Sequence, residues 1–443
     1  MRFFVADRRA GGKRGSHVVL AIALAMGATL TSGLVAEPAF AAKKDKNAPK
    51  PQFSKEFIAA FKPMQDGLNA DPVDVAAMSA LVPGVVAISV SPDEKLATGN
   101  AVYSIGVKAN DYAMQFKGMT LMIESGKLAP EQLGQFNFAA YQLANALKRY
   151  PESRHYLQSA IDANYSSDTV SAAAMQIAMA ESYISENRIG DGIQYILTAI
   201  NKQKETGQAV DETWYRRGLS VAYNNELPAV YDIATAWVGD YPSKVNWRDS
   251  INIARNLNTF EPPELLDLMR LSFTLGTMEN KQEYIDYIEA ADARRLPKEV
   301  ETLINQAYSS GKVSKDDIFV ADTLKLASGR IAADRADLPS LERDARAASA
   351  GLRTVTAAGD TFLSYGDNAK AEEFYQKALG MAGVDTATVL TRLGIAQTKL
   401  GKIDEAQANF AKVTGKRVSI AKLWSAYAKS KAVATEPVAP TAS

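Results

Sequence analysis

Two stretches near the C-terminal end decide the fold: GDNAKAEEFYQKALG (Gly366–Gly380) and GKIDEAQANFAKVTG (Gly401–Gly415). Each puts an alanine five residues after its opening glycine (Ala371, Ala406) and an aromatic four residues later (Tyr375, Phe410). A small or branched residue follows three further on (Ala378, Val413). Upstream, Gly359 and Phe362 precede Gly366 at the spacing at which Gly394 and Gln397 precede Gly401. In two antiparallel helices, small residues sit where the backbones approach most closely and large ones fill the space between pairs. Gly366 and Gly401 then end the first helix of each pair, since glycine takes a left-handed conformation at little cost. The periodicity puts Ala371, Phe374, Tyr375 and Ala378 on one face and leaves Glu372 on the exposed one.

Outward from these copies the pattern stays helical over residues 96–431, in segments of about 10–17 residues joined by short Gly, Asn or Pro turns, as stacked helix pairs require. DPVDVAAMSA (Asp71–Ala80) reads as a helix start with Asp71 as N-cap, Pro72 at the first helical position and Asp74 in the first turn. FEPPELLDLMRLSF (Phe260–Phe273) starts another, with Leu265, Leu268, Met269 and Phe273 at helical spacing. VVAISVSP (Val85–Pro92) is the one β-like run; alone it makes no sheet and reads as an extended connector. The predicted fold is all-α, an α-solenoid of antiparallel helix pairs. Its divisions are a leader (1–41), a linker and first helical segment (42–95), repeats (96–243), a helical region without clear repeats (244–350), C-terminal repeats with a closing helix (351–431) and a tail (432–443).

The first residues read as a secretory signal: five basic residues, the apolar run VVLAIALAM (Val18–Met26) and Ala39-Phe40-Ala41 as the cleavage pattern, which places the mature start at Ala42. The protein is thus expected in the periplasm or outside the cell. Removing residues 1–41 takes away five basic and two acidic residues and leaves 45 against 48, a net −3. That balance argues against nucleic acid as a partner, and no later stretch approaches the roughly 20 apolar residues of a membrane span. The chain has no Cys and two His, His17 and His155, so thiolate chemistry and Cys-ligated metals are excluded. His155 reads as an exposed structural residue, and no cofactor is expected.

The repeated residues resemble those of the tetratricopeptide repeat family. Residues 352–385 and 387–419 carry its pattern through Gly359, Phe362, Ala371, Tyr375 and Ala378, and through Gly394, Ala406 and Phe410. An earlier copy carries it through Ala180, Tyr183, Asn187, Gly192, Ile196 and Ala199, and a looser one through Trp214, Gly218, Ala229, Ile233 and Ala236. The resemblance implies a superhelix whose concave face binds peptides or protein segments, and it implies no catalysis. Candidate groove residues are Arg216, Arg217, Tyr223 and Asn224 with Arg248 and Arg255. On neighbouring helices these would grip an acidic segment or a C-terminal carboxylate by forked hydrogen bonds. The plainer reading pairs the arginines with Asp211, Glu212 and Asp249. Glu181 faintly suggests the catalytic glutamate segment of an exported peptidoglycan hydrolase, but the motif that should follow it is absent. The expected function is a non-enzymatic interaction scaffold of the envelope with a protein or peptide partner. The alternative is a structural component of an envelope or polysaccharide-export assembly.

Overall fold

The computed structural model describes residues 51–435. The regular elements among them are twenty α-helices and one 3-10 turn, and Ser167 and Val170 form an isolated bridge. Consecutive helices pack as antiparallel pairs, which makes the chain an α-solenoid. The signal segment, residues 1–41, lies outside the described residues. The chain divides into two compact units, up to Met175 and from Gln176 on, with the division inside α7 (Ala172–Ser185).

In the N-terminal unit α1 (Lys55–Leu68) and α2 (Val75–Ile88) precede the pairs α3 (Pro92–Lys108) with α4 (Tyr112–Glu124) and α5 (Pro130–Ala146) with α6 (Tyr150–Asp162). Regular helix therefore begins well before residue 96. Two local readings are corrected. The cap of α2 is Asp74, whose carboxylate accepts from the Ala77 N–H at 2.9 Å, and Asp71 and Pro72 lie outside the helix. Val85–Ile88 is the last turn of α2, because Met78, Val82 and Val85 form a buried helical stripe, and only Ser89–Ser91 connect to α3. The helices α3 and α4 approach through glycine: a Cβ on Gly118 would lie 2.4 Å from the Tyr103 backbone nitrogen, and one on Gly99 would lie 2.8 Å from the Gly118 carbonyl oxygen.

The second unit continues with α8 (Ile189–Glu205), α9 (Glu212–Asn224), α10 (Val230–Asp240), α11 (Lys244–Leu257), α12 (Pro262–Leu275) and α13 (Lys281–Ala291). Then come α14 (Pro297–Ser309), α15 (Ile318–Arg346), α16 (Leu352–Tyr365), α17 (Asn368–Leu379), α18 (Thr386–Lys399), α19 (Ile403–Phe410) and α20 (Val418–Thr435). Because α20 runs to Thr435, helix continues past the expected start of the tail at Ala432.

One turn geometry closes the first helix of eight pairs. A residue with positive φ ends it, and the next N–H reaches back to the carbonyl five residues earlier. In these eight turns the positive-φ residues are Asn110, Lys148, Asn187, Glu226, Gly276, Gly311, Gly366 and Gly401, and Asn164 and Gly207 repeat the geometry after α6 (Tyr150–Asp162) and α8. Asp367 N–H to Phe362 O and Lys402 N–H to Gln397 O, both 2.9 Å, are two of the closing bonds, and Arg149 N–H to Ala144 O and Leu227 N–H to Ala222 O repeat them at 2.9 Å. The segment 244–350 holds two such pairs, α12 with α13 and α14 with α15. The helix α11 stands between pairs and has no such turn.

The repeat residues pack as small against large. Ala371, Ala378 and Ala406 are fully buried, and a Cβ on Gly359 or Gly394 would strike the ring of Tyr375 or Phe410 at 2.6 and 2.5 Å. In the earlier copy Ala180, Gly192 and Ile196 are buried while Tyr183 and Ala199 are half-buried, and Asn187 supplies the left-handed turn at φ 64°. In the looser copy the packed face is Val230, Ile233, Ala234 and Trp237, which leaves Ala229 and Ala236 half-buried and out of register. Glu372 corrects the exposed-face reading. It is 7% exposed, because α18 of the next pair covers it, and it accepts from Gln397 Nε2 at 3.1 Å and Lys402 Nζ at 2.6 Å.

The layers of this unit have different fates. The even-numbered helices meet one another: α20 packs on α10, α12 and α18, α12 packs on α18, and α14 packs on α16, while α11 of the odd-numbered layer also reaches α20. One hydrophobic core accordingly joins Val238, Trp247, Ile251 and Leu268 to Phe374, Leu393, Ile420 and Trp424.

Candidate functional site

The candidate residues lie on α9 and α11, in the odd-numbered layer. Arg217 on α9 forks onto Glu181 of α7, with Nη2 2.7 Å from Oε2, and that hydrogen bond raises the pKa of its guanidinium. Arg248 on α11 donates to Glu279 at 2.7 Å and stands 3.6 Å from Glu283. Arg255 donates to Asp286 of α13, and Asn256 Nδ2 donates to the Tyr223 hydroxyl at 3.3 Å. Arg216 pairs with Glu212 on its own helix at 2.8 Å and lies over the Trp237 ring, 5.3 Å from its centroid. Glu212 is also the acceptor for Trp237 Nε1 at 3.0 Å. Asn224 and Asn256 are exposed.

These contacts form a row of half-buried cross-helix pairs over α7, α9, α11 and α13. The arginines of α9 and α11 are neighbours in this row, yet each already holds a carboxylate of the protein. Asp211 and Asp249 are not their ion-pair partners; only Glu212 takes that role, with Arg216. Asp249 stays half-buried, and burial pushes its pKa up against the opposing pull of Arg248 and Arg216. An acidic ligand on this row must compete with Glu181, Glu279 and Asp286.

A second constellation lies in the even-numbered layer. Asp267 on α12 is fully buried and accepts from three guanidinium groups: Arg270 at 2.9 Å, Arg392 of α18 at 3.1 Å and Arg417 at 2.6 Å. Arg270 forks onto Glu299 of α14 at 2.8 and 2.7 Å, where the Tyr287 hydroxyl also donates at 2.6 Å. Arg392 Nη1 donates to both oxygens of Asp360 on α16 at 2.8 Å, and the Tyr375 hydroxyl donates to Asp360 at 2.8 Å. Three carboxylates thus face three arginines. Burial alone would raise the carboxyl pKa of Asp267, but Arg392, Arg417 and Arg270 outweigh it and hold the group below its ordinary range. Glu299 is held low in the same way by Arg270, while burial and then Glu299 push the Tyr287 hydroxyl well up. Trp424 Nε1 donates to the Asp267 carbonyl at 2.8 Å and ties α20 to the cluster.

This cluster was missed in the sequence, although ELLDLMRL (Glu264–Leu271) carried a signal. An Asp and an Arg at i, i+3 inside an apolar run mark a helix buried on every side, where charges must be paired. With its oxygens taken by protein donors, the cluster is a clamp between helices, with no group turned to a ligand. His155 is exposed on α6, and Glu181 serves Arg217. Among the described residues no group of three or more His, Asp or Glu could hold a metal ion, and no helix is long and apolar enough to cross a membrane. A scan against models of known protein families gives no match, and a search of curated proteins gives none either.

Proposed function

We propose that this protein is a non-enzymatic interaction scaffold of the cell envelope, of the tetratricopeptide type, exported by its N-terminal signal. A protein segment would lie across α7, α9, α11 and α13. The observation that carries the reading is the row of half-exposed charged pairs spanning those helices, with Arg216, Asn224 and Asn256 exposed along it. The even-numbered layer offers no comparable surface, since α20 and the arginine–carboxylate cluster fill it. A segment bearing carboxylates at two-helix spacing would replace Glu279 at Arg248 and meet Arg216.

A photo-reactive residue at Asn224 tests this in envelope extract, with the same residue at the exposed Lys202 of α8 as control. Capture of one defined protein at 224 and not at 202 is the expected result. Equal labelling at both positions would sink the groove reading. The sealed even-numbered layer favours one second reading, a stiff structural component of an envelope assembly. That reading expects several proteins captured at both positions.

A further inference from the structure

The 29-residue helix α15 is held on one side by Val320, Ala327 and Ala345 and leaves another side bare. On that side Phe319 is 44% and Leu326 40% exposed, and Asp322, Arg330 and Ala333 are exposed as well. At about 100° per residue these five lie within roughly 40° of a common direction, so they form one seam. Asp322 and Arg330 form no ion pair with the described residues, whereas Arg346, at the helix's far end, is paired with Glu342 and Glu373. Large apolar groups bare on one helical stripe mark a contact surface.

The seam is complementary to itself. Asp322 and Arg330 stand four residues either side of Leu326, and Phe319 and Ala333 stand seven either side. Two copies packed antiparallel about Leu326 set Asp322 against Arg330 twice, lay each Phe319 over the other's Ala333 and bring the leucines together. This is the isologous arrangement of a two-fold dimer. A parallel pairing would set Asp against Asp and Arg against Arg. We infer that α15 is a homodimerisation helix whose occupant is the α15 of a second copy. The inference does not depend on what the row on α7–α13 binds. A contact of about four helical turns buries roughly 1,000 Å² in total, at the low end for specific interfaces, so the dimer assembles in the micromolar range.

The absence of cysteine makes the test clean. In the mature chain, Leu326→Cys is expected to give a disulfide dimer under mild oxidation. Arg330→Cys alone is not, because antiparallel packing puts the two 330 positions about 12 Å apart along the axis. Mixing Asp322→Cys with Arg330→Cys restores crosslinking as a heterodimer. Sedimentation of the unmodified chain from about 1 to 100 µM should show the monomer–dimer shift. Asp322→Arg should weaken it roughly tenfold or more, and adding Arg330→Asp should recover it. Circular dichroism confirms that each variant keeps its helix. A chain monomeric throughout overturns the inference and leaves the face to a different protein. Crosslinking of Arg330→Cys as fast as Leu326→Cys, or no recovery in the double charge swap, overturns it too.

Discussion

Replacing Asp267 with Asn keeps the side chain's shape and removes its charge. The cluster then holds Arg270, Arg392 and Arg417 against Glu299 and Asp360 only, inside a site where Asp267 is fully buried. Each lost charge-assisted hydrogen bond is worth about 1.5–3 kcal/mol, so three of them set an upper bound of roughly 5–9 kcal/mol. Arg270 keeps its fork on Glu299 and Arg392 its contact with Asp360, which brings the expected cost down to the 3–5 kcal/mol or so typical of breaking a buried ion pair. Arg417→Met is the contrast. It removes one of three cations around Asp267 and leaves the other two in place, so about 1–3 kcal/mol is expected.

Urea unfolding gives the two costs, and hydrogen exchange locates them. Arg417 opens the approach to α20, so α20 and its neighbour α10 should lose protection in both variants, while α3 and α4 in the other unit keep theirs. A cost under about 1 kcal/mol for Asp267→Asn, or a larger cost for Arg417→Met than for Asp267→Asn, would refute the role given to Asp267.

Three further outcomes are expected. Glu94 accepts from the backbone N–H of Ser54, Ser91 and Val90 and from the Ser54 hydroxyl, and its pKa is lowered from 4.5 to about 2, by Ser54 first. A depressed carboxyl stabilises the fold above its unfolded pKa, so the anchorage of α1 should be complete above about pH 4.5 and fade toward pH 2. Glu94→Gln should abolish that dependence in the thermal unfolding of the N-terminal unit. Glu372→Leu should cost about 1–3 kcal/mol in denaturant, since it strands the Gln397 amide and Lys402, and a neutral result would show that these contacts do not form in solution. Gly118→Ala drives a methyl into the Tyr103 backbone of α3, so a melting temperature unchanged from the parent's would contradict the close approach of α3 and α4.

The sequence revealed the fold where its turns are spelled with glycine. Gly366 and Gly401 announced the last pairs, but Lys148 and Glu226 adopt the same left-handed turn at φ 58° and 53°. For residues with a Cβ that conformation costs roughly 1–2 kcal/mol, so no propensity rule proposes them. The packing of neighbouring pairs holds those turns in place, and that packing is not visible in a short window. Glu372 was misplaced for the same reason, since one helix's period does not tell which neighbour covers its polar side. The arginines of α9 and α11 were legible as neighbours. Their acidic partners were not, because Glu181 and Asp286 lie more than 30 residues from Arg217 and Arg255.

The lone helix α11 explains why the repeat signature does not mark the open face. Before it, the first helices of the pairs are α7 and α9, in the odd-numbered layer; after it they are α12, α14, α16 and α18, in the even-numbered one. One unpaired helix shifts the phase by one element and exchanges the layers. With a constant phase, all first helices would lie on the same side, as the family resemblance implies. Here those after α11 carry the Asp267 cluster and close on α10 and α20, and those before it carry the row that stays half-exposed. Arg248 and Arg255 sit on the phase-shifting helix itself; Arg255 bridges to Asp286 of α13 and Arg248 to Glu279 just before it, so α13 continues the row as the second helix of its pair. Pairing α11 by inserting a helix after Leu257 would return the later pairs to the earlier phase. It would also pull α20, which follows the insertion, away from α10, which precedes it, so the closed core and the single interruption are one design.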